Sequence, residues 1–188
     1  MTRALLSRLR RTLRREDGTA TMEFLILAPL LFGFIVNSAE AGVVMLRSAF
    51  LDWGLYKAVR EMRLGNLTDT DGEFDPALFR TRLCEEIWFL GDAQTACPAR
   101  IRIEMRTFSA ATVAAMAGDP DCVPGGDEVP PPAVFNPGGP TELTVVRVCA
   151  AVPPITPAFG IGAALTKNGD GDYLITAVSA YVSEPEGT

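Results

Sequence analysis

The sequence predicts an α+β protein: a long N-terminal helix that begins wholly apolar and ends amphipathic, then a domain with a small antiparallel sheet and one or two helices. Three observations predict it. Residues 24–46, FLILAPLLFGFIVNSAEAGVVML, form a run of 23 in which Glu40 is the only formal charge and Asn37 the only other strongly polar group. Apolar residues beyond it recur at three- and four-residue steps, the spacing of one helix face. Three later segments, 100–109, 143–152 and 173–183, alternate and are rich in β-branched residues, as strands are. With 188 residues in all, one principal core is expected.

The first element is a basic leader. Residues 1–18 hold six arginines, Arg3, Arg8, Arg10, Arg11, Arg14 and Arg15, against Glu16 and Asp17, a net charge of +4. The remainder carries 11 of the 17 basic and 21 of the 23 acidic residues, net −10. That balance argues against a nucleic-acid-binding face on the body of the protein. A cationic leader before an apolar span, with an acidic body after it, follows the positive-inside rule and puts the N-terminus in the cytoplasm. The absence of histidine excludes Ser-His and Cys-His catalytic pairs, the HExxH zinc motif and a histidine pH switch.

The second element is the helix 19–64. Its 23-residue span, 24–46, reaches roughly 34 Å at 1.5 Å per residue and so crosses a hydrocarbon core of about 30 Å. Pro29 and Gly33 predict a break or bend, because proline deletes a backbone hydrogen bond and crowds the preceding turn. Glu40, near the outer lipid boundary, is expected either to reach up to water or to face a polar or basic group on a partner helix. Beyond the span, Leu46, Ala49, Phe50, Trp53, Tyr56, Val59 and Met62 mark one face, with Arg47, Asp52, Lys57, Arg60 and Glu61 largely off it. Trp53 and Tyr56 are expected in an interface belt or in core packing. Gly65 and Asn66 stop the helix.

The junction of leader and span carries a motif. GTATMEF at 18–24 places Gly18 at the end of the leader, four uncharged residues after it, then Glu23 and Phe24 at the mouth of the apolar run. It resembles a prepilin-peptidase site cut between Gly18 and Thr19, which removes the leader and keeps the helix. SAEAG at 38–42 offers Ala39 and Ala41 at the spacing of a secretory cleavage site, but the apolar run continues through VVML. An ionised Glu23 at the edge of lipid seeks a cation, and the new α-amine of Thr19, on the same or a neighbouring subunit, is the natural one.

RREDGTATMEFLILAPLLFGFIVNSAEAG followed by RSAFLDWGLYKAVREMRLG resembles the TadE-like minor pilins, or pseudopilins, of the Tad (Flp) pilus apparatus. Shared with that family are the Arg-rich leader, the Gly before the cut, the Glu-Phe pair, a proline at Pro29 and a second acid at Glu40. The later VVRVCAAVPPITPAFG and the closing YVSEPE agree as well. The middle, 65–140, resembles the family only loosely, and Asn37, Ser38 and the insertion GGDEVPPPAVFNPGGP depart from it. The resemblance implies a pilin-like fold and a structural subunit that initiates or joins a Tad-type, type IV-like pilus used in adhesion. It implies as partners a prepilin peptidase, other minor or major pilins, the inner-membrane assembly platform and membrane lipid, with no nucleic acid. The protein would then cross the bacterial inner membrane once, its domain periplasmic, or extracellular within a pilus. The alternative is a bitopic inner-membrane protein whose periplasmic domain binds a ligand or partner outside any filament.

The remaining elements belong to the extracytoplasmic domain, 65–188. NLTDTDGEFD at 66–75 is a polar loop, and its acids Asp69, Asp71, Glu73 and Asp75, like Asn168, Asp170 and Asp172 later, lack the glycine placement of a calcium loop and read as turns. Pro76 opens a helix that Gly91 stops. Residues 118–140 hold seven prolines and five glycines, a long irregular loop. The four cysteines all follow the span, as suits an oxidising periplasm, and allow three pairings. The expected pairs are Cys84 with Cys97, tying helix to first strand, and Cys122 with Cys149, pinning the loop to the second. No metal or cofactor is expected: spacings of 13, 25 and 27 residues do not suit a four-thiolate zinc site. The adjacent Glu85 and Glu86 face different sides of their helix, and no phosphate-cradling loop lies at a strand-to-helix junction, so no catalytic residues are assigned.

Overall fold

The computed structural model describes residues 19–70, 72–109, 134–139 and 141–182. The chain divides into two compact units, Met1–Ala39 and Glu40–Thr188. The architecture is α+β, with one long apolar N-terminal helix, a three-stranded antiparallel sheet and short helices.

Helix α1 runs from Thr19 to Arg63 and passes through Pro29 without interruption. The helix is therefore not broken at Pro29, although proline removes one donor. The C-terminus of α1 forms where the sequence places it. Gly65, at φ 73°, takes the left-handed conformation that favours glycine. Its N–H donates to the Met62 carbonyl at 3.0 Å, while that of Asn66 reaches the Glu61 carbonyl at 3.1 Å. This double closure satisfies carbonyls that a helix end otherwise leaves open.

Within the second unit, α1 buries Leu51, Leu55, Ala58 and Val59 in the core, with Val44 and Met62 packed at its edge. This face shares Val59 and Met62 with the one expected but is otherwise rotated from it. Leu46, Trp53 and Tyr56 are 51, 52 and 58% exposed, and Trp53 stacks on Tyr56 with Lys57 over its ring. Gly54 shows why the other face wins. A Cβ there would stand 3.3 Å from Glu86 Cβ and Ile87 Cγ1, so the helix that follows packs closely on a stripe with a small residue at its centre.

That helix, α2, spans Pro76–Glu86, with Asp75 capping the N–H groups of Ala77 and Leu78. It stops short of Gly91. A 3₁₀ turn, Trp88–Leu90, follows instead. Ile87 and Leu90 are both buried, and a three-residue turn sets two side chains three apart on one side. Gly91, at φ 93°, closes this turn. A short helix not expected from the sequence, α3 (Ala96–Arg100), carries Cys97. Asp92 accepts from the hydroxyl and N–H of Thr95 just before it, and those bonds hold its carboxyl below the usual carboxylate range.

Strands β1 (Ile101–Thr107), β2 (Leu143–Val152) and β3 (Tyr173–Val182) form an antiparallel sheet in the order β1-β2-β3. Ile101, Ile103 and Met105 on β1, Val146, Val148, Ala150 and Val152 on β2, and Tyr173, Ile175, Ala177 and Tyr181 on β3 enter the core, one face of the pleat. Beside β1, Met105 N–H donates to the Val134 carbonyl and Asn136 N–H to the Met105 carbonyl. Part of the Pro/Gly-rich stretch 118–140 thus runs along the sheet edge, while residues 110–133 lie outside the described residues. Tyr181 donates to the Pro137 carbonyl at 2.8 Å, and burial pushes its phenol pKa up, with a hydrogen bond from Thr144 opposing. A last short helix, α4 (Gly160–Ala164), follows β2.

The α1 faces give a direct comparison. Leu55→Ala should lower domain stability by about 3 kcal/mol, the usual scale for a cavity in a packed core, whereas Tyr56→Ala should change it by less than about 0.5 kcal/mol. Denaturant midpoints of the two variants check this, and equal losses would contradict the assignment of the buried face.

Candidate functional site

The residues between Thr19 and Ala39 define the first candidate site. Met22, Phe24, Leu25, Ile26, Leu27, Leu30, Leu31, Phe32, Phe34 and Ile35 are each at least half exposed, and they point around the whole circumference of α1. An α-helix apolar on every side is matched to lipid or to other apolar helices, not to water. By length and composition it can cross a membrane. Within it, Asn37 Nδ2 donates to the Gly33 carbonyl at 2.7 Å. A bond back to the preceding turn lowers the cost of a polar side chain in an apolar segment. Glu23 is exposed one turn beyond the start of α1, and Thr19 is the first helical residue. Gly18 lies outside the described residues.

The second site is built around Glu40, the first residue of the second unit. Its side chain is 1% exposed. Oε1 accepts from the Ile155 N–H at 3.0 Å, while Oε2 accepts from the Thr156 N–H at 2.9 Å and the Thr156 hydroxyl at 3.0 Å. The expected reach up to water does not hold. The carboxylate is shielded from bulk water. It is bound by a loop of its own chain, 115 residues further on. An acid buried among apolar groups is tolerated when donors satisfy it, and two backbone amides with a hydroxyl do so here. Two turns later, Arg47 Nη1 donates to the Pro153 carbonyl at 2.8 Å and to the Tyr173 hydroxyl at 2.9 Å. The loop is locked from inside as well, since a Cβ on the buried Gly162 would collide with the Thr156 carbonyl.

Cys84 and Cys97 form a disulfide with Cα atoms 5.8 Å apart, tying α2 to α3, next to the first strand. Closing a 13-residue step restricts the unfolded chain by about 3 kcal/mol. Cys149 is also disulfide-bonded; Cys122, the partner expected for it, lies outside the described residues.

The acidic loops are turns of one design. Asp69 Oδ1 accepts from Glu73 N–H, and Asn168 Oδ1 accepts from the N–H groups of Asp170 and Asp172. Each loop is closed by a short bridge, Thr68 with Phe74 and Lys167 with Tyr173. Asp71 lies outside the described residues, and among those described no three His, Cys, Asp or Glu side chains converge as a metal site. Glu86 pairs with Lys57 and Glu85 with Arg82, each at 3.0 Å, consistent with their facing different ways.

Sequence reasoning missed an ionic group on the sheet face away from the core. Glu104 pairs across strands with Arg147, whose Nε donates to Oε2 at 3.1 Å, and Arg102 Nη2 stands 3.7 Å from Oε1. All three are buried. The alternation of RIRIEMRT is the signal that places Arg102, Glu104 and Arg106 on one side of β1. Comparison of the chain with known protein families, with curated proteins and with solved structures finds no match.

Glu40→Ala should expose the loop to proteolysis near Pro157 and cost about 3 kcal/mol, the scale for hydrogen bonds to a charged group. Glu40→Gln, which keeps one acceptor oxygen, should fall between. Limited proteolysis with unfolding curves measures both; wild-type behaviour in the alanine variant would refute the lock.

Proposed function

We propose that this protein is a minor pilin-like structural subunit with a non-catalytic role. In this reading a prepilin peptidase removes residues 1–18, and the exposed apolar half of α1 then packs with other pilins to initiate or join a Tad-type pilus. Before assembly the same helix spans the bacterial inner membrane, with residue 1 cytoplasmic and the domain periplasmic. The supporting observation is the juxtaposition of Gly18, Glu23 and Phe24 with a helix whose apolar side chains are exposed all round from Met22 to Ile35. Such a helix serves first lipid and then neighbouring helices, since both offer the same apolar contact. The disulfide-stapled sheet domain is the part displayed outside.

Replacing Gly18 by Leu should leave the full 188-residue chain in the membrane, while the wild type begins at Thr19. N-terminal sequencing of membrane-extracted protein reads the difference. A wild-type start at Met1 would leave a bitopic membrane protein with a partner-binding domain, and a start at Gly42 would indicate secretion.

Glu23→Ala should be cleaved normally yet fail in assembly, because the peptidase reads mainly the glycine whereas packing among apolar helices requires the carboxylate to find the Thr19 amine. Normal piliation of this variant, counted by electron microscopy, would show Glu23 to be merely interfacial.

A further inference from the structure

We propose that the loop 153–166 is a second membrane contact, seated in the lipid–water interface of the leaflet where α1 leaves the bilayer. The proposal rests on the reading that α1 crosses a membrane, and it adds a surface that this reading does not contain.

The segment PPITPAFGIGAALT has 14 residues and no charged side chain. It is nevertheless mostly exposed: Ile155, Phe159 and Ile161 are 56, 52 and 37% accessible. Contiguous exposed apolar groups of this kind mark an interaction surface. Half of its residues bring no free N–H. Pro153, Pro154 and Pro157 have no N–H to desolvate. The N–H groups of Ile155 and Thr156 go to Glu40, and those of Ala163 and Leu165 go to the carbonyls of Phe159 and Ile161. Seven of the 14 residues therefore present no unpaired N–H, which lowers the cost of bringing the loop to an apolar boundary.

Chain continuity supplies the depth. The uncharged stretch from Phe24 to Ala39 has 16 residues and reaches about 24 Å, short of a hydrocarbon core of about 30 Å. The lipid therefore extends roughly one helical turn past Glu40, over AGVV, and the exposed Met45 and Leu46 follow at its boundary. Glu40 then lies at the level of the outer leaflet, and the loop bonded to its carboxylate lies there too. Two cations border the loop: Arg47 on the Pro153 carbonyl and Lys167 Nζ on the Pro157 carbonyl at 3.0 Å. Cations flanking apolar groups are the arrangement of an interfacial anchor, their heads among phosphates and their stems in lipid.

The test uses the full chain in vesicles of zwitterionic and anionic phospholipid, with Phe159, Phe34 or Val178 replaced in turn by p-benzoylphenylalanine. After irradiation, mass spectrometry reports covalent lipid. Adducts at 34 and 159, with none above background at 178 on the exposed face of β3, are expected. Lipid at 34 alone, or a protein–protein adduct at 159 in place of lipid, would overturn the loop contact and leave the span intact. No lipid at 34 would remove the span and the loop contact together. Equal labelling at 159 and 178 would also overturn it, by showing no preference for the loop.

Discussion

A carboxyl group in the middle of an apolar run needs hydrogen-bond donors around it or it destabilises its surroundings. At Glu40 those donors come from Ile155 and Thr156, so the acid dictates where the chain goes after β2. Gly162 then has to be glycine so that the following turn can close over Thr156. Arg47, seven residues on and on the same side of α1, fixes Pro153 and the buried Tyr173 at the start of β3. Two charged side chains thus set both ends of the β2–β3 connection on the helix, and the apolar packing of Leu51, Leu55 and Ala58 continues along that line.

That line explains what the sequence did and did not disclose. Positions 40, 44, 47, 51, 54, 55, 58 and 62 recur at the three- and four-residue spacing of a packed seam, but two are charged and one is Gly54. A reading based on hydrophobicity selects the neighbouring line through Leu46, Trp53 and Tyr56, which is more aromatic and is in fact exposed. Elements defined by local chemistry were legible: the Gly65 stop, the Pro76 start, though not its Asp75 cap, and the three strands to within a residue or two. The partner of Glu40 was not, because it lies 115 residues away. No periodicity encodes a contact at that separation.

The two faces of the sheet use different chemistry. Toward the helices the pleat is filled by Val, Ile, Ala and Tyr, which gain from leaving water without needing a fixed partner. On the opposite face Arg147 and Glu104 are directly opposed, and Cys149, in register with Arg102, is disulfide-bonded. A buried ion pair contributes little net stability, yet it penalises misalignment strongly, since a slipped register leaves each charge alone. The apolar face holds the sheet to the helices, and the ionic face fixes the register of β1 on β2.

The division of the chain at Glu40, well before the end of α1 at Arg63, bears on how a water-soluble fragment is cut. A start at residue 65, after the helix, deletes Leu51, Leu55, Ala58 and Val59 and opens the hydrophobic interior. A start a few residues after Glu40 keeps that interior but strands the amides of Ile155 and Thr156. The shortest self-consistent fragment retains Glu40 itself, and its own freshly exposed terminal turn then lies beside the carboxylate that organises the fold.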